Sequence, residues 1–255
     1  MDASQKTLSV LDALGAGEGN RLGDIAARAG VPKPTVHRIL QRLIERGYAR
    51  AEGDGRYAPG PRILALAGEM LRALDPGHYF GPVLRELHDE VGHTVHFALL
   101  SGHEAVYVEK LEAPDAAYQT ASRVGGRLAL HSTAIGKALL AAMPTDEARD
   151  LIRELELPPR TKNTLATAAA LEAGLADVRE RGFALDDEEN ERNIRCVGAA
   201  VFDHRDRPVG AVSVSTLTFE VERDAVVALG PRVVMAADAL SAALGASAPA
   251  EAPPR

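Results

Sequence analysis

One cysteine, Cys196, stands in the whole chain, which excludes an intrachain disulfide framework and any all-cysteine metal site within one chain. No apolar run approaches the roughly 20 residues needed to span a bilayer. No signal peptide opens the sequence, so no membrane partner is expected and a cytoplasmic protein is. There is no internal repeat, and outside the two ends the composition gives no sign of disorder. What the chain does have is an uneven charge. Residues 1–74 carry 11 Lys+Arg against 8 Asp+Glu, a net of +3, while the remainder carries 18 against 28, a net of −10. A basic head on an acidic body suits a nucleic-acid partner at one end only. At 255 residues the chain suits two domains, each large enough for its own core.

The basic head is organised around Leu22 to Tyr57. Val36, Ile39, Leu40, Leu43 and Ile44 recur at helical spacing and predict one buried face, leaving Thr35, His37, Arg38, Gln41 and Arg42 on the other. Upstream, Leu22, Ile25, Ala26 and Ala29 make a second apolar stripe, and Gly30-Val31 leaves a short connection, so the pair predicts a helix-turn-helix. Lys33 precedes Pro34, which disfavours helical backbone at Lys33 and makes Pro34 the natural first helical residue. The basic side chains then fall in the turns that reach base edges and phosphates when such a helix enters the major groove. Gly47 can end the helix, and Tyr48 to Ala51 and Arg56 to Ala58 flank the turn sequence Glu52-Gly53-Asp54-Gly55, predicting a hairpin wing. The candidate DNA-binding set is Arg21, Lys33, Pro34, Thr35, His37, Arg38, Gln41, Arg42 and Arg56.

Ser4 to Leu14 reads as a first helix with Leu8, Leu11 and Leu14 facing inward. After the wing, Gly60-Pro61 starts a helix whose Ile63, Leu64, Leu66, Ala67, Met70, Leu71 and Leu74 cover more than half its circumference, which implies a partner. Asp75-Pro76-Gly77 breaks it. The domains are therefore placed at 1–60, a linker helix at 61–75, a second domain at 76–245 and a disordered tail at 246–255.

In the second domain a helix from Phe80 to Val91 is followed by strands at Thr94–Leu100 and Ala105–Leu111, with a third around Tyr118 to Arg123. Helices follow at about Ser132–Met143, Thr145–Leu155 and Ala168–Arg181, then strands at Ile194–Phe202 and Val209–Ser215, and one long helix from Arg223 to Leu244. This order predicts an α+β domain with a mostly antiparallel sheet.

Two ordered blocks resemble the IclR family of bacterial transcriptional regulators. The first is Leu22-Gly23-Asp24-Ile25-Ala26, then Pro32 through Leu40, then Gly55-Arg56-Tyr57 with Gly60-Pro61-Arg62. The second is His131 through Leu140, then Arg181 through Glu189, then Arg195 through Asp203. The resemblance implies an N-terminal winged helix-turn-helix domain, a helical linker used for dimerisation and a C-terminal GAF-like α/β effector-binding domain, in homodimers or homotetramers. It also implies an effector site at Ala134, Ile135, Asp186, Ile194, Cys196, Ser213 and Ser215, with the backbone amides of Ala134 and Ile135 favouring a carboxylate at a helix N-terminus. Ile135, where relatives carry a smaller residue, would narrow that corner. In Val212-Ser213-Val214-Ser215 the two hydroxyls share one strand face. Asn193 replaces a glycine frequent in relatives, and Asn tolerates a left-handed turn.

The resulting expectation is a ligand-controlled repressor, with double-stranded DNA and a small carboxylate effector as partners, no cofactor, no metal and no catalytic residue. Plainer readings stand beside it. Ser213 and Ser215 also fit a solvated strand face, Cys196 an inert core position, the run Asp186 to Glu189 a solvated loop, and His131 a structural hydrogen bond. Two other functions use the same residues: a hydrolase with Cys196 as nucleophile and His131 and Asp186 as base and orienter, or a metal or redox sensor built on Cys196 and Asp186.

Overall fold

The computed structural model describes residues 1–15, 20–74, 80–114 and 121–246. The chain divides into two compact units, Met1–Asp75 and Pro76–Arg255.

The first unit packs α1 (Ala3–Gly15), α2 (Leu22–Ala29) and α3 (Lys33–Glu45) against a hairpin of β1 (Ala49–Glu52) and β2 (Arg56–Pro59), followed by α4 (Pro61–Leu74). Val10, Leu14, Ile25, Val36, Ile39, Leu40 and Leu43 form its core. Gly30, at φ 64°, closes α2 in the left-handed conformation that glycine adopts without strain. Two expectations need correction. Helix α3 begins at Lys33 with Pro34 in its first turn, because the Pro32 carbonyl already accepts from Thr35 at 2.9 Å and Val36 at 3.0 Å and Pro34 has no N–H to satisfy. In α1 the inward face is Val10, Ala13 and Leu14, and Leu8 is 61% exposed. Gly60 closes the wing: a Cβ there would stand 2.2 Å from the Gly47 carbonyl oxygen. On α4, Leu64 and Leu66 are exposed. The expectations for the Ala67, Met70, Leu71 and Leu74 side chains, for the break at Asp75-Pro76-Gly77 and for the tail after Ala246 lie outside the described residues.

The second unit is one six-stranded sheet in the order β5-β4-β3-β8-β7-β6, antiparallel throughout. Its strands are β3 (Thr94–Ser101), β4 (Glu104–Leu111), β5 (Arg127–Leu128), β6 (Ala184–Asp187), β7 (Ile194–Phe202) and β8 (Pro208–Leu217). Strand alternation sends Val95, Phe97, Leu185, Val197, Val212 and Val214 to one face, packed with Phe80, Leu84, Val226, Val233 and Leu240 from α5 (Gly81–Val91), α9 (Arg223–Ala228), α10 (Gly230–Ala243) and the turn before α5. Ala98, Ala184 and Ala211 face the other way, onto Ile135, Leu139, Leu140, Ile152, Leu171 and Leu175 of α6 (Ala134–Ala142), α7 (Thr145–Glu154) and α8 (Ala168–Arg181).

The sequence reading misses β6, whose Asp186-Asp187 looks like a loop because an edge strand this short shows little alternation. The third strand expected around Tyr118 to Arg123 is irregular over Ala121–Arg123, and Tyr118–Thr120 lie outside the described residues. The last helix divides at Leu229, just before Gly230-Pro231, where proline removes a helical donor and a Cβ on Gly230 would fall 2.4 Å from the Phe183 ring. Against the expectation of no such run, Arg223–Ala243 is apolar and long enough by composition to cross a bilayer. Its inner face, Val226, Val233, Ala237 and Leu240, is buried in the sheet core instead.

Candidate functional site

In the first unit, Arg21, Lys33, Pro34, His37, Arg38, Gln41, Arg42 and Arg56 are all exposed and Thr35 is half-buried. The hydrophobic face of α3 fixes this outward presentation, since Val36, Ile39, Leu40 and Leu43 are all buried. An antiparallel bridge sets Arg21 beside Arg56, so the start of α2 and the wing present two arginines together. Among the described residues no carboxylate pairs with Lys33, Arg38, Arg42 or Arg56, whereas Arg50 and Arg62 pair with Glu52 and Glu69. The result is a one-sided basic surface.

In the second unit, Ala134, Ile135, Asp186, Ile194, Cys196, Ser213 and Ser215 all line one cavity of about 160 Å³ between α6 and the sheet. Register explains the grouping. Asp186 pairs with Cys196, Cys196 with Ser215, and Ser213 with His96, so one sheet face carries these side chains in adjacent rows.

Two glycines bring α6 onto that face. A Cβ on Gly198 would lie 3.1 Å from the Ala134 carbonyl carbon and 3.2 Å from the Ile135 nitrogen, and one on Gly136 would lie 2.3 Å from the Leu130 Cα. Thr133 caps the helix, accepting from the Gly136 amide at 3.0 Å and donating to the Ala129 carbonyl at 2.8 Å. Among the described residues the amides of Ala134 and Ile135 meet no protein acceptor, and both border the cavity. The Ile135 side chain belongs to the apolar cluster beneath α6.

The plainer readings fare unequally. Ser213 and Ser215 are buried, not solvated, and Cys196 faces the cavity rather than a sealed core. Asp186 is 2% exposed; its Oδ1 accepts from the Glu189 amide at 2.7 Å and the Asn190 amide at 3.2 Å. Burial raises its carboxyl to about 7, against the opposing pull of Lys137 and these amides. Glu189 is buried too, because the buried Lys137 ammonium bridges it to the Leu185 carbonyl. Asp187 instead pairs with Arg195 at 2.6 Å and Arg223 at 2.9 Å. Asn193 adopts φ 63°, the left-handed conformation expected of it. His131 makes a structural hydrogen bond through Nε2 to the Pro158 carbonyl at 3.1 Å and is not among the cavity residues.

Sequence reasoning missed His96, Tyr107, Ser122, Arg160 and Asn190, which also line the cavity. His96 shares a strand face with Thr94, so alternation could have offered it. Its Nε2 lies 2.8 Å from Ser122 Oγ and its Nδ1 3.4 Å from Ser215 Oγ, which in turn lies 3.1 Å from Cys196 Sγ. Burial, then the nearby Lys110 charge, lowers the imidazole to about 3, so it stays neutral. Tyr107 stacks at a tilt on His96, ring centroids 5.1 Å apart. Arg160 comes from an irregular loop that no periodicity marks. Burial, and next the Asp186 charge, pushes the Cys196 thiol up, away from the thiolate a nucleophile or metal ligand needs. Among the described residues no cluster of three or more His, Cys, Asp or Glu side chains could hold a metal ion.

Comparison with known proteins matches residues 69–242 to the family model described as bacterial transcriptional regulator IclR C-terminal, and residues 3–53 to the IclR helix-turn-helix domain. The chain is 37% identical over 226 residues to the HTH-type transcriptional regulator XynR of Escherichia coli strain K12, covering 88% of this chain and 89% of that one. It is 32% identical over 227 residues to the transcriptional repressor IclR of the same organism, covering 88% and 82%. Among solved structures, a putative IclR transcriptional regulator from Silicibacter sp. TM1040 superposes with a TM-score of 0.86 at 27% identity, covering 99% of this chain and all of that one.

Proposed function

The chain belongs to the IclR family of bacterial transcriptional regulators, and from that membership we propose that it is a ligand-responsive repressor of a catabolic or metabolic operon, controlled by a small carboxylate in the cavity beneath α6. The α3 face, with Arg38 and Gln41 central, reads operator bases in the major groove, while Arg21 and Arg56 hold phosphate. Homodimers or homotetramers place two such heads at the spacing of an operator's half-sites. Ligand binding changes operator affinity only through a difference in its affinity for the two arrangements of the heads.

The observation that carries the effector reading is the pair of open amides at the N-terminus of α6, bordering a cavity otherwise walled by side chains. Unpaired helix N–H groups and the helix dipole favour an anion there. No catalytic role is assigned: the regulators this chain is related to are transcription factors, and His131 is bonded away from Cys196.

The test is an electrophoretic mobility shift with the intergenic DNA beside the protein's own gene, at several salt concentrations and with a panel of small carboxylates. Specific retention should weaken with salt at a log-log slope of roughly −0.9 per neutralised phosphate. At least one carboxylate should alter it. Folded protein that retains no promoter specifically would overturn the DNA-reading assignment, and indifference to every carboxylate would overturn the effector assignment.

A further inference from the structure

We propose that Asn20 is a positioning residue for DNA binding: its buried side chain, backed by Arg28, holds the wing so that Arg56, Arg21 and Lys33 meet the phosphate backbone together. The proposal rests on the DNA-reading assignment above and extends it to a residue that touches no DNA.

Asn20 is 6% exposed and stands where three elements join. Its side-chain Nδ2 donates to the Leu14 carbonyl at 2.9 Å, in the last turn of α1. Its Oδ1 accepts from the guanidinium of Arg28 on α2, which also donates through Nε to the Ala13 carbonyl at 3.2 Å. Its backbone carbonyl accepts from the Tyr57 amide of β2 at 2.9 Å. The last carbonyls of a helix have no partner within it, so α1 ends on these two side chains. A primary amide suits the place, because it carries a donor and an acceptor in one short plane; Asp lacks the donor and Ser the reach. Among the described residues Arg28 has no carboxylate partner, and its contacts serve this joint.

The consequence lies on the wing side of Asn20. The strands of the wing have four residues each, too few to hold a fixed pose by themselves. The base of the hairpin is fixed at Gly60, whose amide donates to the Tyr48 carbonyl at 2.9 Å. Nearer the tip, the Asn20 carbonyl takes the Tyr57 amide and the bridge from Arg21 to Arg56 continues the pairing. The same segment runs on to Gly23, where a Cβ would stand 3.5 Å from Lys33 Cε, so the Lys33 stem lies against the start of α2. Three exposed cations are thus spaced by one short segment, and Asn20 anchors that segment to α1 and α2. Removing its amide leaves two buried hydrogen bonds unmade. The slack falls on the wing rather than on α3, which is held by its own apolar face.

The experiment measures the salt dependence of binding to the promoter fragment retained in the mobility shift above. It uses the full-length parent, Asn20→Ala, Arg28→Met, Arg56→Ala, and each of the first two combined with Arg56→Ala. Arg56→Ala should make the log-log slope shallower by about 0.9, the equivalent of one phosphate. Asn20→Ala and Arg28→Met should each do at least as much, and each combined with Arg56→Ala should lose less than the sum of the single losses. The affinity ratio for that fragment over an unrelated duplex of equal length should stay within about threefold of the parent's, since phosphate contacts weaken binding uniformly across sequences. A slope unchanged in folded Asn20→Ala, with only the thermal midpoint lowered, would overturn the proposal. Losses that add in full would do the same, because Asn20 and Arg28 would then act independently of the wing. If Asn20→Ala does not fold, Arg28→Met, at an exposed position, decides by the same two criteria. Parent protein that retains no fragment specifically would overturn the DNA-reading assignment and the proposal together.

Discussion

The outward face of α3 and the cavity beneath α6 are built in opposite ways. On α3 the candidate contacts occupy one continuous segment, all exposed or half-exposed, and the core that supports them is made of different side chains, Val36, Ile39, Leu40 and Leu43. Around the cavity the candidate contacts come from α6, from β3, β4, β6, β7 and β8, and from the loops that carry Ser122, Arg160 and Asn190, and they are interlaced with buried polar groups that hold the unit together. A substitution on α3 should therefore read as recognition alone, whereas one near the cavity should read as stability and recognition at once.

Lys137 gives the largest expected effect. Its ammonium is buried against Glu189 and the Leu185 carbonyl, tying α6 to β6 and the loop after it. Lys137→Met strands the Glu189 carboxylate and should lower stability by about 3–5 kcal/mol, while adding Glu189→Leu should restore most of the loss, since a well-packed apolar pair replaces a buried ion pair at little cost. Denaturant unfolding of the two variants measures both. An unaltered midpoint for the single variant would break the comparison. Next comes Gly136→Ala, whose Cβ would meet Leu130 backbone at 2.3 Å. Overpacking there should cost about 2–3 kcal/mol, with carboxylate binding lost as the α6 N-terminus is displaced. The contrasting substitution is Arg38→Ala: operator affinity should fall by about 1–3 kcal/mol if the side chain reads a base. Its thermal midpoint should match that of the parent, because an exposed residue with no ion partner carries little stability.

The same contrast governs what the sequence discloses. Helix α3 is written locally: period, proline and glycine sit within a few residues of the side chains they orient, so its exposed set is legible from one stretch. The cavity is written across more than a hundred residues of chain. Alternation in Val212-Ser213-Val214-Ser215 shows that the two serines share a face, but only register against β3 and β7 shows that the face meets His96 and Cys196. The resemblance to a family supplied Asp186 and Cys196. Composition read the carboxylate run as solvated, and its two ends are buried, because Lys137, 52 residues before Glu189, reaches into it. Arg160 and Tyr107 had no local signal, since one lies on an irregular loop and the other on a strand whose inward face is set by a bulge between Phe97 and Ala98.

A pH profile tests the interlacing directly. The folded value of Asp186, about 7, lies above its ordinary 3.8. Between those values the folded state holds a proton that the unfolded chain lacks, so this group's contribution to stability falls as pH rises from about 4 to about 7. His96 does the reverse. Its folded value, about 3, lies below 6.5, so its contribution is fully present above pH 6.5 and is lost as pH falls toward 3. Over their shared window the two slopes oppose, and in the parent protein they largely cancel. Asp186→Asn should unmask the histidine slope, so that stability relative to the parent rises with pH across the window. His96→Gln should unmask the carboxyl slope, with relative stability falling instead. Urea midpoints of parent and variants across that range decide the matter. Parallel profiles in all three proteins would mean that neither group feels the enclosure the cavity imposes, and the cavity would then resemble the open face of α3 rather than contrast with it.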